Sequence, residues 1–182
     1  NLRDCRFPVQ TVIRPHSDKY HDYRGYAGRI AGGVIKKGDK VVSLPTGLES
    51  KVAAIHTMDG EIDEAFPPQS VAIELEDDID VSRGSMIVRP DNMPTMTQNF
   101  DVMLCWLNPT PPRPQAKYVI RHTTNEARAI IKEIKYRVDI NSLHRDTTAT
   151  ELKVNDIGRV TLKTTQPLLV DSYSLNRVTG SI

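Results

Sequence analysis

Long hydrophobic runs are missing from this 182-residue chain: none approaches the ~20 apolar residues a membrane-spanning helix needs, and no basic-then-apolar leader opens it. Cysteine is scarce. Cys5 and Cys105 lie far apart, without C-x-x-C or histidine-spaced ligand patterns, and read as a pair of free cytosolic thiols. One tryptophan, three phenylalanines and six tyrosines leave few stacking platforms for single-stranded nucleic acid. Neither sign of charge dominates, with 24 Lys and Arg against 23 Asp and Glu, so no general basic field exists to hold a polyanion. A phosphate loop is lacking too, since no glycine between Arg24 and Ser50 is followed by the lysine that would sit over a nucleotide.

What is present is strand-forming sequence punctuated by turns. In RGYAGRIAGGVIKKGDKVVSLPTGLES (Arg24 to Ser50), Gly25, Gly28, Gly32 and Gly33 permit tight turns or close backbone approach. Lys37-Gly38-Asp39 predicts a hairpin between Val34-Ile35 and Val41-Val42, and Pro45-Thr46-Gly47 the next turn. Strand signals run through Val9 to Ile13, Gly28 to Ala31, Lys40 to Leu44, Lys51 to His56, the alternation Val71, Ile73, Leu75, and Met86 to Val88. Arg89 to Pro94, bracketed by prolines, marks a boundary between domains at 1–91 and 92–182. The proline-rich Asn108 to Pro114 reads as a surface loop, because a cut there would strand the alternating Phe100, Val102, Leu104 and Trp106 in the wrong domain. Tyr118 to Ile120, Gly158 to Lys163 and Leu168 to Val170 predict further strands. Residues 124–140 fit a helical stripe and an alternating strand alike. The strand reading, with a bulge near Lys132-Glu133, suits a barrel.

Motifs that could carry chemistry are sparse. Asp22-Tyr-Arg-Gly25 has the D-x-x-G spacing of a γ-phosphate sensor, but without G-x-x-x-x-G-K-[ST] upstream or N-K-x-D downstream it reads as coincidence. His16, His21, His56, His122 and His144 show no ligand spacing and no adjacent nucleophile, so they read as solvated loop or strand-edge residues. The acidic runs Glu74 to Asp80 and Asp59 to Glu64 read as solvated faces and turn caps. Arg24, Tyr26 and Arg29 offer either a partner-facing basic and aromatic cluster or a solvated barrel rim. Trp106 and Phe100 share one strand face and predict core packing. No catalytic, cofactor-binding or metal-binding residue is assigned.

The segments Arg6 to Pro15, Asp22 to Gly33, Gly38 to Ile55, Asp78 to Ile87, Tyr136 to Leu143, Asn155 to Leu162 and Asn176 to Ile182 together resemble, in order and without large gaps, the GTPase subunit of bacterial sulfate adenylyltransferases. Asp-Tyr-Arg-Gly-Tyr-Ala-Gly and Val-Asp-Ile-Asn point to this branch over translation-type GTPases generally. The resemblance implies an all-β chain of two consecutive β-barrels like domains 2 and 3 of elongation factor Tu, with the amino-terminal G domain outside it; a chain opening on Asn1 in strand-like sequence is expected to be a piece of a longer polypeptide. It further implies that GTP and magnesium belong to the absent G domain, and that the partners are that domain and a small subunit that adenylylates sulfate. Neither a membrane nor a nucleic acid is expected as a partner, and the location implied is cytoplasmic. Some members also carry an adenylylsulfate kinase. The alternative is the RNA-binding barrels of an elongation-factor-like protein. Ser85 departs from the family, in which an acidic residue follows Ser-Arg-Gly, and the second barrel is expected to leave an unpaired edge after Ile182.

Overall fold

The computed structural model describes residues 3–14, 23–113 and 115–182, and every regular element among them is a strand. The first nine are β1 (Arg6–Ile13), β2 (Gly25–Arg29), β3 (Ile35–Lys36), β4 (Lys40–Leu44), β5 (Leu48–Thr57), β6 (Gly60–Ile62), β7 (Glu64–Ala65), β8 (Ser70–Leu75) and β9 (Met86–Val88). They are followed by β10 (Thr95–Cys105), β11 (Tyr118–His122), β12 (Asn125–Val138), β13 (Arg145–Asp146) and β14 (Ile157–Val170). The all-β expectation therefore holds.

Contacts group the chain into two compact units, Asn1–Met96 with Arg121–Glu126 and Leu169–Ile182, and Thr97–Ile120 with Ala127–Leu168. A single cut between residues 91 and 92 does not describe this grouping, because two later segments pack with the first unit.

In the first unit the strand order β4-β9-β1-β2-β8-β5 returns to β4 through the β4–β5 pairing, a closed six-stranded ring with β6 beside β5. Closure leaves no edge on the ring and gives each strand an inward row. Phe7, Val9, Tyr26, Val41, Val52, Ile55, Val71, Ile73 and Ile87 fill that interior. Gly28 makes room for the Phe7 ring, since a Cβ there would lie 3.1 Å from Phe7 Cζ and 2.4 Å from the Pro8 carbonyl oxygen. Arg6 to Val9, Val41 to Leu44 and Met86 to Val88 are continuously buried, so this flank of the ring is covered on its outer face as well. Val42, Leu44, Met86 and Val88 meet Leu169 there.

The hairpin expected at Lys37-Gly38-Asp39 forms only as a turn. Asp39 N–H donates to the Lys36 carbonyl, and the Asp39 carboxylate accepts the Lys36 N–H at 3.0 Å, but β3 pairs with β7 while β4 pairs with β5 and β9. The Pro45-Thr46-Gly47 turn does join a hairpin, β4 to β5, with Gly47 at φ 75° and its N–H on the Ser43 carbonyl.

The second sheet runs β10-β14-β12-β11 with β13 on β12, and its path ends at β10 and β11. Phe100, Val102, Leu104 and Trp106 line its inner face against Leu152, Val160, Leu162, Ile131 and Ile134, as their alternation predicted. Trp106 also meets Tyr118 edge-on at 5.7 Å. The ambiguous stretch is strand β12, whose register against β14 shifts between Ile131 and Glu133 and again between Ile134 and Tyr136. A bulge at Lys132 reconciles the two apolar periods, because an extra residue returns the following side chains to the same face. The two strands expected at Gly158 to Lys163 and Leu168 to Val170 are one, β14.

Candidate functional site

The most elaborate polar constellation lies in the first unit, at residues that sequence reasoning left unassigned. Arg6 opens the buried stretch Arg6 to Val9 of β1 and is 2% exposed. Its guanidinium grips Asp171 through two bonds of 2.8 Å, Nε to Oδ2 and Nη2 to Oδ1. Its Nη1 donates to the carbonyls of Cys5 and Asn92. A planar fork on a carboxylate is the strongest form of this interaction, and full pairing is what allows an arginine to be buried at all.

Thr179, wholly buried, extends the network. Its hydroxyl donates to Asp171 Oδ2 at 2.6 Å, its carbonyl accepts from His122 Nε2 at 2.8 Å, and its N–H reaches Asn176 Oδ1. Asn176 in turn donates to the Ala31 carbonyl at 3.0 Å. Burial works to raise the Asp171 pKa, but the bonds from Arg6 and Thr179 and the guanidinium charge outweigh it and hold the carboxyl below its usual range. For His122 burial dominates and lowers the pKa, partly opposed by the Thr179 bond and the Asp171 charge. The imidazole is thus kept neutral, donating from Nε2.

This constellation joins two of the motifs that carry the family likeness, RFPVQ and NRVTG. Its one hydroxyl, on Thr179, is wholly buried and donates to Asp171, and each of its charges is matched, so its chemistry is that of a clasp. The signal in the sequence was an arginine between Cys5 and Phe7-Pro-Val at the start of a buried strand; what it lacked was any clue that the outer face of that strand would be covered.

Other candidates distribute as follows. His122 overturns its solvated reading at 2% exposure, whereas His144 is exposed and His56 is half-buried with Nε2 2.6 Å from Glu74 Oε1. His16, His21 and Asp22 of the D-x-x-G spelling lie outside the described residues. Arg24, Tyr26 and Arg29 do not form one cluster. Tyr26 is a core residue donating to the Ile79 carbonyl, Arg24 lies over its ring and is ion-paired with Asp78, and exposed Arg29 donates to the Pro68 carbonyl.

The acidic runs serve the chain itself: Asp77 meets Ser50, Glu61 meets Lys37 and Glu64 meets Lys36. Ser85, where the family carries an acid, is buried and its hydroxyl accepts the Ser82 N–H of its own turn. Burial pushes the Cys5 thiol up to about 12, which leaves it inert, while Cys105 is exposed.

In the second unit, Val-Asp-Ile-Asn lines an open cleft of about 460 Å³ with Arg137 and Asp146. Asp139 Oδ1 accepts the N–H groups of Ser142 and Asn141, which lowers its pKa. Arg137 pairs with Asp146 and Asp156. Among the described residues no group of three or more His, Cys, Asp or Glu is placed to hold a metal ion, and no helix is long and apolar enough to cross a membrane.

A closed ring followed by a second barrel-type sheet is the arrangement of the translation-type GTPase barrels. Residues 99–182 match the GTP-eEF1A C-terminal domain-like family. Sup35 complexed with GDP superimposes with a TM-score of 0.85 over 97% of this chain and 43% of its own, at 16% identity, and shows the fold. Among curated proteins, bifunctional enzyme CysN/CysC of Mycobacterium tuberculosis (strain ATCC 25618 / H37Rv) is 50% identical over all 182 residues, which make up 30% of it. Sulfate adenylyltransferase subunit 1 of Bacteroides fragilis (strain YCH46) is 47% identical over the whole chain, which makes up 37% of it. The chain is a homologue of the sulfate adenylyltransferase subunit 1 proteins, and spans about a third of their length.

Proposed function

We propose that these residues are the noncatalytic barrel portion of the GTP-hydrolysing subunit of a cytoplasmic sulfate adenylyltransferase. With its small subunit the whole protein would convert ATP and sulfate to adenosine 5′-phosphosulfate and pyrophosphate. The observation that carries this reading is the identity of 47–50% over the entire chain to subunit 1 and CysN/CysC proteins. GTP and magnesium are assigned to a G domain outside these residues, because the chain has no G-x-x-x-x-G-K-[ST] loop to cradle phosphates and no N-K-x-D to recognise guanine.

The barrels would act mechanically, as bodies whose docking against the G domain and the small subunit changes with the nucleotide. A clasp of matched charges and a closed ring suit such a role, since docking needs a surface of fixed shape. Titrating GTP into residues 1–182 and into the full-length protein tests the division of labour. Binding by the full-length protein alone is expected, together with GTP-dependent adenylyl transfer when the small subunit is added. Tight GTP binding by residues 1–182, or salt-dependent transfer RNA binding without sulfate activation, would overturn it.

A further inference from the structure

The segment Asp171–Gly180 is held to the first unit by polar bonds almost alone. Tyr173, Leu175 and Val178 are 55–61% exposed, and the two residues sunk into the unit are Asn176 and Thr179. Upstream, Leu169 is anchored by apolar packing. From Asp171 onward the anchors are the Arg6 fork on Asp171, the His122 bond to the Thr179 carbonyl and the Asn176 bond to the Ala31 carbonyl. The ring beside it is closed by backbone ladders. Elements with little buried apolar surface open locally before the structure as a whole does.

We propose that Asp171–Gly180 is an acid-releasable strap, locked onto the first unit by the Arg6–Asp171–Thr179–His122 network and able to open while the six-stranded ring stays closed. The charged and titratable groups around the lock are few. Arg6 comes from β1 with Asp4 and Cys5 just before it, His122 from the end of β11, Asp171 and the exposed Arg177 from the strap segment, and Arg89, paired with Asp39, follows β9. Asn92, which is neutral, completes the Arg6 shell. Protonating His122 adds a second cation to a network that already holds Arg6, and protonating Asp171 removes the guanidinium's counter-charge. The His122 imidazolium keeps its Nε2–H bond to the Thr179 carbonyl, but it is a charge at a site only 2% exposed, and opening the strap returns it to water. Neither protonation touches a ring ladder.

Hydrogen exchange on the full-length protein, corrected for intrinsic rates, tests this between pH 7.5 and 4.5. Strap amides such as Asn176 and Gly180 are expected to lose tenfold or more of their protection on acidification, while the β1–β9 and β4–β9 amides keep theirs. Asp171→Asn should produce the open strap at pH 7.5. Thr179→Val, a milder change, should do so by several-fold if Asp171→Asn fails to fold. His122→Gln, which can still donate to the Thr179 carbonyl, should remove the loss between pH 6.5 and 5. Strap and ring amides losing protection together, or a strap indifferent to pH and to Thr179→Val, would overturn the proposal.

Discussion

The two units are built from the same alternating strand pattern and bury it to different degrees. In the first, ring closure encloses the inward row completely: Phe7, Val9, Ile55, Ile73 and Ile87 are 0% exposed. In the second, the sheet path ends at β10 and β11, and Phe100, Val102, Leu104 and Trp106 are only partly buried on the same kind of face. Charge divides as sharply. By sequence the first unit has 14 Lys and Arg against 17 Asp and Glu, net −3, and the second has 10 against 6, net +4. The near-neutral total is therefore the sum of two unlike parts. Alternation tells which side chains share a face, and closure decides how much that face is worth.

The largest expected effect puts that difference to the test. Phe7→Ala deletes a fully enclosed ring and should cost about 3–5 kcal/mol. Phe100→Ala, at a half-buried position, should cost about 1–2 kcal/mol. Urea-unfolding midpoints of the two variants measure the gap, and equal losses would show that the open sheet encloses its core as tightly as the ring. A smaller contrast follows from glycine. In Gly28→Ala the new methyl meets the Pro8 backbone oxygen at 2.4 Å, which cannot swing aside, so a loss of about 1–3 kcal/mol is expected. In Gly158→Ala the closest atom is the Leu152 Cδ2 methyl at 2.7 Å, the end of a side chain that can rotate, and the one backbone neighbour, the Tyr136 carbonyl oxygen, lies farther off at 3.2 Å; the reduced freedom of the unfolded chain offsets part of the crowding. That variant should stay within about 1 kcal/mol of the parent. A Gly158→Ala loss matching that of Gly28→Ala would mean that the Leu152 pocket is as rigid as a strand ladder.

Legibility followed the same division. Strand positions were readable because period two is a local property, and the bulge in β12 was readable because two apolar periods overlapped at Lys132. Pairing was not readable. Val34-Ile35 and Val41-Val42 flank a good turn, yet their partners are β7, β5 and β9, and nothing local distinguishes a hairpin from two strands that part company. The clasp escaped for a related reason. Arg6 and Asp171 are 165 residues apart, and neither residue type announces burial. His122 looked like an edge residue because the segment that covers it is 57 residues further on.

Acid should separate the units by a smaller margin, and the sign follows from which groups are shifted. The folded pKa of His122 lies below its usual value, so the unfolded chain takes up the proton first. The strap's hold on the first unit is therefore complete above about pH 6.5 and weakens as pH falls from there towards the folded value. Asp171, lowered in the folded state, adds a later loss, which begins below about pH 4 and is complete only beneath its folded value. In the second unit the lowered groups are Asp101, held by Lys135 and Thr161, Asp139, held by backbone N–H groups, and Asp146, held by Thr148 and Arg137. All three are carboxylates, whose losses fall in the lower window alone. Hydrogen exchange at pH 7.5 and 5 should accordingly show the Asp171–Gly180 strap of the first unit softening and the second unit unchanged, with His122→Gln abolishing the difference. Parallel softening of both units, or a slope that survives His122→Gln, would place the acid-sensitive group elsewhere.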